Sequence, residues 1–212
     1  LPNATIDSYD RLVEDLGVPH REKQALRGLM FAGTLATPAV RRGLRHANPV
    51  VRVACCKILD HFLDEAAIPD LIANLNHEDD QVRSWALHAL ACDRCKEGVC
   101  RPGEGDVIPL VTRMLFDDPS RWVRKQAAQL LGQSAHRRAD VCQALEVARD
   151  NDPDPLVRKV ARWYTPGGPI YRRLVPAPPG SPGQKPLRRP RPGSLLPRPL
   201  PKQLSAYSKG EG

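Results

Sequence analysis

Four copies of one phrase run along the chain: Pro49-Val50-Val51-Arg52-Val53-Ala54-Cys55, Asp80-Gln81-Val82-Arg83-Ser84-Trp85-Ala86, Arg121-Trp122-Val123-Arg124-Lys125-Gln126-Ala127 and Asp154-Pro155-Leu156-Val157-Arg158-Lys159-Val160-Ala161. In each, Val is followed by Arg, and a small residue (Cys or Ala) stands four positions after the Val. The valines at 51, 82, 123 and 157 are separated by 31, 41 and 34 residues. A period of this size marks a stack of small units, each unable to bury its own apolar face alone.

The phrase opens a helix, and another helix precedes it. Pro38, Pro69 and Pro109 lie 13, 13 and 14 residues before the Val and open apolar stretches. Proline suits a first helical turn, where its missing N–H would have no partner anyway. Thr37, Asp64 and Asp106 stand upstream as candidate N-caps. Between the two helices comes a polar turn: His46-Ala47-Asn48, His77-Glu78-Asp79, Asp117-Asp118-Pro119 and Asn151-Asp152-Pro153. Within the second helices the apolar spacing is helical, with Val82, Trp85, Ala86, Ala89 and Leu90 on one face. The pattern predicts helices near 7–16, 20–33, 38–46, 50–63, 67–76, 81–92, 107–116, 121–134, 138–150 and 155–164. That is an all-α solenoid of about five helix pairs, without strands. The repeated Arg52, Arg83, Arg124 and Arg158 are expected to pair with turn Asp residues of their own or the next repeat, as an internal ladder.

The Asp/Asn turn, Val-Arg and Ala-x-x-x-Leu, best seen from Asp79-Asp80-Gln81-Val82-Arg83 through Leu90, resemble the HEAT-repeat family. They look like the short bacterial form, also called phycobilisome-lyase HEAT-like repeats. The resemblance covers roughly residues 20–164. It implies the fold and says almost nothing of activity.

Charge divides the chain unevenly. Residues 1–164 hold 23 Lys or Arg and 23 Asp or Glu, whereas residues 165–212 hold nine Lys or Arg and one acid. The second segment also carries 12 of the 22 prolines, so it is expected to be a disordered Pro/Arg-rich tail. The expected organisation is therefore an array over 1–164, a Cys-rich insertion at 92–105 within it, and the tail at 165–212. No run approaches the roughly 18 apolar residues of a membrane span. Leu1-Pro2-Asn3-Ala4-Thr5 has neither the basic nor the apolar part of a signal peptide. With six cysteines this points to a reducing, cytoplasmic setting.

The 41-residue spacing is about ten longer than its neighbours, and the excess lies in Cys92-Asp93-Arg94-Cys95-Lys96-Glu97-Gly98-Val99-Cys100 and the residues to Gly105. His88 stands one helical turn before Cys92, so both side chains can share a face. It aligns with Lys57 and Gln129 and has no core role. His88, Cys92, Cys95 and Cys100 can supply one nitrogen and three sulfurs to a structural zinc. Three alternatives stand beside zinc. An iron–sulfur cluster would ask for a fourth cysteine, Cys92 and Cys95 can form a redox disulfide, or the thiols are free. Cys55 occupies the small-residue position, Cys56 aligns with Leu87 and Ala128, and Cys142 lies in an apolar helix; all three read as structural.

Enzymatic motifs are missing: there is no phosphate-cradling glycine loop and no Gly-x-Ser-x-Gly elbow. Deoxyhypusine hydroxylase, a HEAT-like enzyme, needs several His-Glu pairs, and only His77-Glu78 occurs here. HEAT-like DNA glycosylases use a basic surface, which a neutral array does not supply. The expectation is a non-enzymatic scaffold for protein–protein interaction, binding on the face lined by the second helices. The alternatives are nucleic-acid binding through Arg188, Arg189, Arg191 and neighbouring tail cations, and a lyase-type or accessory enzyme using the cysteine insertion. Trp163-Tyr164-Thr165-Pro166-Gly167-Gly168-Pro169-Ile170-Tyr171 is expected to cover the open apolar end of the array.

Overall fold

The computed structural model describes residues 6–92 and 104–175. The chain divides into two units, Leu1–Val175 and Pro176–Gly212; the second, and with it most of the expected tail, lies outside the described residues. The helices are α1 (Ile6–Asp15), α2 (Glu22–Ala32), α3 (Thr37–Gly43), α4 (Pro49–Phe62), α5 (Ile68–Asn74), α6 (Asp80–Ala91), α7 (Glu104–Asp117), α8 (Arg121–Leu131), α9 (Ala139–Asn151), α10 (Pro155–Trp163) and α11 (Tyr171–Leu174). There is no strand among the described residues. The first helices α3, α5, α7 and α9 pack on their second helices α4, α6, α8 and α10, which contact one another in succession. With α1 and α2 ahead of them, this is the expected solenoid of five pairs.

The phrase explains the packing. Val51, Val82, Val123 and Val157 are fully buried, as are the small residues Cys55, Ala86, Ala127 and Ala161 one turn later. Burying each valine contributes about 1.5–3 kcal/mol. The small residue lets a neighbouring helix approach: a methyl group on Gly43 of α3 would strike Cys55 Sγ and Val13. At the far end, a methyl on Gly132 would run into the Tyr164 ring. Tyr164 is buried, and Trp163, Ile170, Tyr171 and Leu174 pack partly buried against the core. The end of the array is covered by its own aromatic segment.

Caps follow the sequence with two exceptions. Asn48, Asp79 and Asp154 accept the N–H groups of Val50, Gln81 and Leu156 at 2.8–2.9 Å. Asp64 accepts from Ala67 N–H at 2.9 Å, capping the short 3₁₀ turn Glu65–Ala67 that leads into α5. Thr37 is not a cap: a 3₁₀ turn over Gly33–Ala36 runs into α3, and Thr37 is already its first residue. Asp106 is not one either. α7 starts at Glu104, so Pro109 falls inside it rather than opening it, and only the bond to the Gly105 carbonyl is forfeited.

The arginines form the expected ladder, with a definite division of labour. Arg83 donates to Asp118 of the next repeat through Nε (2.8 Å) and Nη2 (3.0 Å), while Nη1 reaches the carbonyls of His77 and Glu78 in its own turn, both at 2.8 Å. Arg124 repeats this with Asp152 (2.9 and 3.2 Å) and the carbonyls of Asp118 and Pro119. Arg158 keeps its own-turn bonds to Asp152 and Pro153. Arg52 keeps its own-turn bond to His46 O, but its cross-repeat partner is the neutral Asn74 Oδ1 at 2.9 Å. Both Arg–Asp pairs are buried, and each carboxylate holds its guanidinium pKa above the ordinary value through the hydrogen bond between them.

Removing one partner leaves a buried charge alone. Asp118→Ala is expected to lower stability by about 3–5 kcal/mol in urea unfolding, and Arg83→Met added to it should recover much of that loss. A double variant no more stable than Asp118→Ala would show that Arg83 acts through its carbonyl bonds alone.

Candidate metal centre

α6 carries His88 in its last turn and ends at Cys92, whose backbone N–H still donates to His88 O at 2.9 Å. The two side chains therefore lie one above the other on one face. Beside them, on the neighbouring α4, stands Asp60. Single ligand atoms of Asp60, His88 and Cys92 lie within 4.8 Å of one another. Asp60 and Cys92 are buried, and His88 is half-buried. His88 Nε2 is 3.4 Å from Asp60 Oδ2, and its Nδ1 is 2.8 Å from the Gln126 side-chain amide on α8. Trp85 meets the imidazole edge-on at 5.4 Å, and Lys57 Nζ sits 4.9 Å over the Trp85 ring.

The electrostatics favour positive charge at this point. Burial alone would lower the His88 pKa, but hydrogen bonds to Asp60 and Cys92 outweigh it and raise it to about 9. Of the expected ligands, His88 and Cys92 are together; Cys95 and Cys100 lie outside the described residues. Asp60 was not among them, although its register gave a signal: it is an acid where the other repeats have Ala91 and Gly132. A cavity of ≈ 420 Å³ adjoins the cluster, lined by His88, Cys92, Val107, Val111, Gln126 and Tyr164 among others. A wider hollow of ≈ 640 Å³ beside α9, lined by His136, Cys142 and Glu146, touches none of Asp60, His88 and Cys92 and is mostly open surface.

The exposed stripe of the second helices has its own character. All three tryptophans of the chain lie on these helices. Each has a cation over its ring: Lys57 on Trp85, Arg121 (4.8 Å) and Lys125 (5.6 Å) on Trp122, and Lys159 (5.7 Å) on Trp163. Apart from the ladder arginines, the second helices carry Lys57, Arg121, Lys125, Lys159 and Arg162 against Asp60 and Asp80. Acids exceed bases on α5, α7 and α9. α3 runs the other way, with Arg41 and Arg42 and no acid, so the charges do not divide simply between first and second helices.

The sequence pattern described as HEAT repeats matches residues 22–91 and 95–164. No curated protein matches the chain. Among solved structures, an engineered protein from the Northeast Structural Genomics Consortium is similar at 18% identity, with a TM-score of 0.48, over 73% of this chain and 76% of that one.

The remaining described cysteines fit structural roles. Cys55 and Cys56 are fully buried. Burial raises the Cys55 thiol well above its ordinary value and pushes Cys56 up to about 12. Cys142 is only half-buried, with its pKa raised chiefly by desolvation. Alkylation at mildly alkaline pH, followed by peptide mass spectrometry, should modify Cys142 in the folded chain and reach Cys55 and Cys56 only after denaturant is added. Native labelling of Cys56 would contradict the packing of α4.

Proposed function

The chain belongs to the HEAT-repeat family, and we propose that it is a non-enzymatic scaffold that binds an acidic surface of another protein along the stripe of its second helices. The observation that carries this reading is the set of cation-topped tryptophans: Trp85, Trp122 and Trp163 all lie on these helices beneath lysine or arginine. Trp122 is 46% exposed, with Arg121 exposed beside it. Aromatic and arginine side chains at such a position are the usual anchors of a protein interface. Lysines there attract an acidic partner and raise its rate of encounter.

The ladder supports the same reading from the other side. Arg83 and Arg124, the deepest cations of the array, are consumed by its own turns and neighbouring repeats. Of the more exposed cations over the tryptophans of the second helices, Arg121 also pairs with Asp154 at 3.4 Å, which leaves Lys125 and Lys159 as the cations offered to a partner. No described helix is long and apolar enough to cross a membrane. The zinc expected at His88, Cys92, Cys95 and Cys100 is a separate proposal; of that set, the described residues include His88 and Cys92.

Lys125→Glu combined with Lys159→Glu replaces one cation by an acid on each of α8 and α10 without entering the core. Both variant and parent chain should have the same helical circular-dichroism spectrum. A poly-glutamate peptide should perturb the tryptophan fluorescence of the parent, with binding that weakens as salt is raised, and should leave the variant unaffected. In pull-downs from nuclease-treated native lysate, acidic proteins retained by the parent should be lost by the variant. Equal retention by both would remove the face from the reading. Retention abolished by nuclease would replace protein with nucleic acid as the partner.

A further inference from the structure

We infer that Asp60, His88 and Cys92 form a site for one divalent metal ion, joining α4 to α6, with zinc the metal that its donors suit. This inference stands on geometry apart from the interaction stripe, and it uses neither Cys95 nor Cys100.

The first argument is the separation of the donors. His88 Nε2 and Asp60 Oδ2 are 3.4 Å apart. A charge-assisted N–H···O bond is shorter, about 2.7–2.9 Å. Two ligands each about 2.0–2.1 Å from a tetrahedral zinc lie roughly 3.3–3.4 Å from each other. The spacing accommodates two ligands about a common ion, and it is also the spacing at which the two side chains pair directly without one. With Cys92 included, all three ligand atoms remain within 4.8 Å, against the roughly 3.5–3.7 Å that an Sγ ligand needs from its neighbours about the ion.

The second argument is which imidazole nitrogen is used. A Cys–His–Asp nucleophilic arrangement needs the thiol on one ring nitrogen and the carboxylate on the other. Here Nδ1 is held by Gln126 at 2.8 Å, and Nε2 faces Asp60. One nitrogen directed at the cluster and the other fixed by an amide from a third helix is how proteins orient a ligating histidine. The Gln126 atom that meets Nδ1 is Nε2, a donor; binding a metal through His88 Nε2 requires the amide to turn and present its oxygen to the Nδ1–H.

The third argument is the donor set. One oxygen, one nitrogen and one sulfur, all from short or half-buried side chains, match zinc, which takes all three. The negative charge that Asp60 and a Cys92 thiolate place in a buried position is the charge a divalent cation offsets.

The full chain, stripped with chelator under reducing conditions, would be titrated with Co²⁺ alone. One ion per chain should bind, with the near-ultraviolet thiolate-to-cobalt band and the intense visible bands of a four-coordinate site, and Zn²⁺ should displace it. Cys95→Ser with Cys100→Ser should retain one Co²⁺ and the thiolate band. Adding Cys92→Ser to that pair should abolish the band. Asp60→Asn and His88→Gln should each weaken Co²⁺ by at least tenfold, and Gln126→Leu by about tenfold. Loss of all cobalt on changing Cys95 and Cys100, or undiminished affinity in Asp60→Asn, would overturn the site. Should circular dichroism show Asp60→Asn to be unfolded, His88→Gln decides, and an unchanged affinity there overturns it equally.

Discussion

The array depends on one contact: the guanidinium of one second helix gripping the turn of the next repeat. Arg83 and Arg124 each use Nε and Nη2 on a carboxylate across the repeat boundary and Nη1 on carbonyls of their own turn. A guanidinium is planar and presents its donors in a fixed fork. Bonding both edges at once fixes the angle and spacing between neighbouring repeats. Burying an ion pair contributes little net stability against a well-packed apolar alternative. Apolar stacking supplies the free energy, through fully buried Val82, Ala86, Val123 and Ala127; the ladder sets the register in which that stacking occurs.

The ladder is not uniform, and its exception falls at the junction of α4 and α6, the pair of helices that also carries Asp60 and His88. Asp118 and Asp152 each bend back to accept a backbone N–H two residues on, at 2.8 Å. In the two earlier turns His46 and His77 do this through Nδ1, at 2.9 and 3.0 Å. A histidine can reproduce that turn bond but offers no carboxylate to a preceding arginine. Arg52 therefore meets Asn74, whose amide also donates to the carbonyls of Leu44 and Asp70. The α4–α6 junction thus lacks the ion pair that joins α6 to α8 and α8 to α10. It is the junction where Asp60 faces His88.

Much of this was legible in one sequence, for identifiable reasons. The Val and small-residue positions repeat because each unit presents the same face to its neighbours, so periodicity exposed the helices, the burial of Cys55 and the destination of the arginines. Features that occur once were harder to read. α7 begins five residues before Pro109 because a proline one turn inside a helix costs only one backbone bond there. Asp60 was passed over because no metal-ligand spacing connects it with residue 88; α4 and α6 bring them together only in three dimensions. Its register, opposite Ala91 and Gly132, was the available clue. The basic stripe was invisible for a different reason. Net charge sums over helices that face different ways, so 23 cations and 23 acids conceal their separation.

The stripe and the cluster are physically continuous. Lys57 lies over Trp85, Trp85 meets His88 edge-on, and His88 faces Asp60. Burial lowers the Lys57 pKa against the opposing pull of Glu22, so its ammonium already loses hydration in the free chain. The Trp85 ring face supplies part of the compensation. A zinc ion held by Asp60, His88 and Cys92 would displace the protons of His88 and Cys92, leave the local net charge unchanged, and fix the imidazole against which Trp85 rests. An acidic partner would then meet a rigid tryptophan instead of ordering one on arrival, and ordering side chains is among the main costs of forming an interface. Through this chain of contacts, occupancy at α4 and α6 would act on the side chains of the stripe.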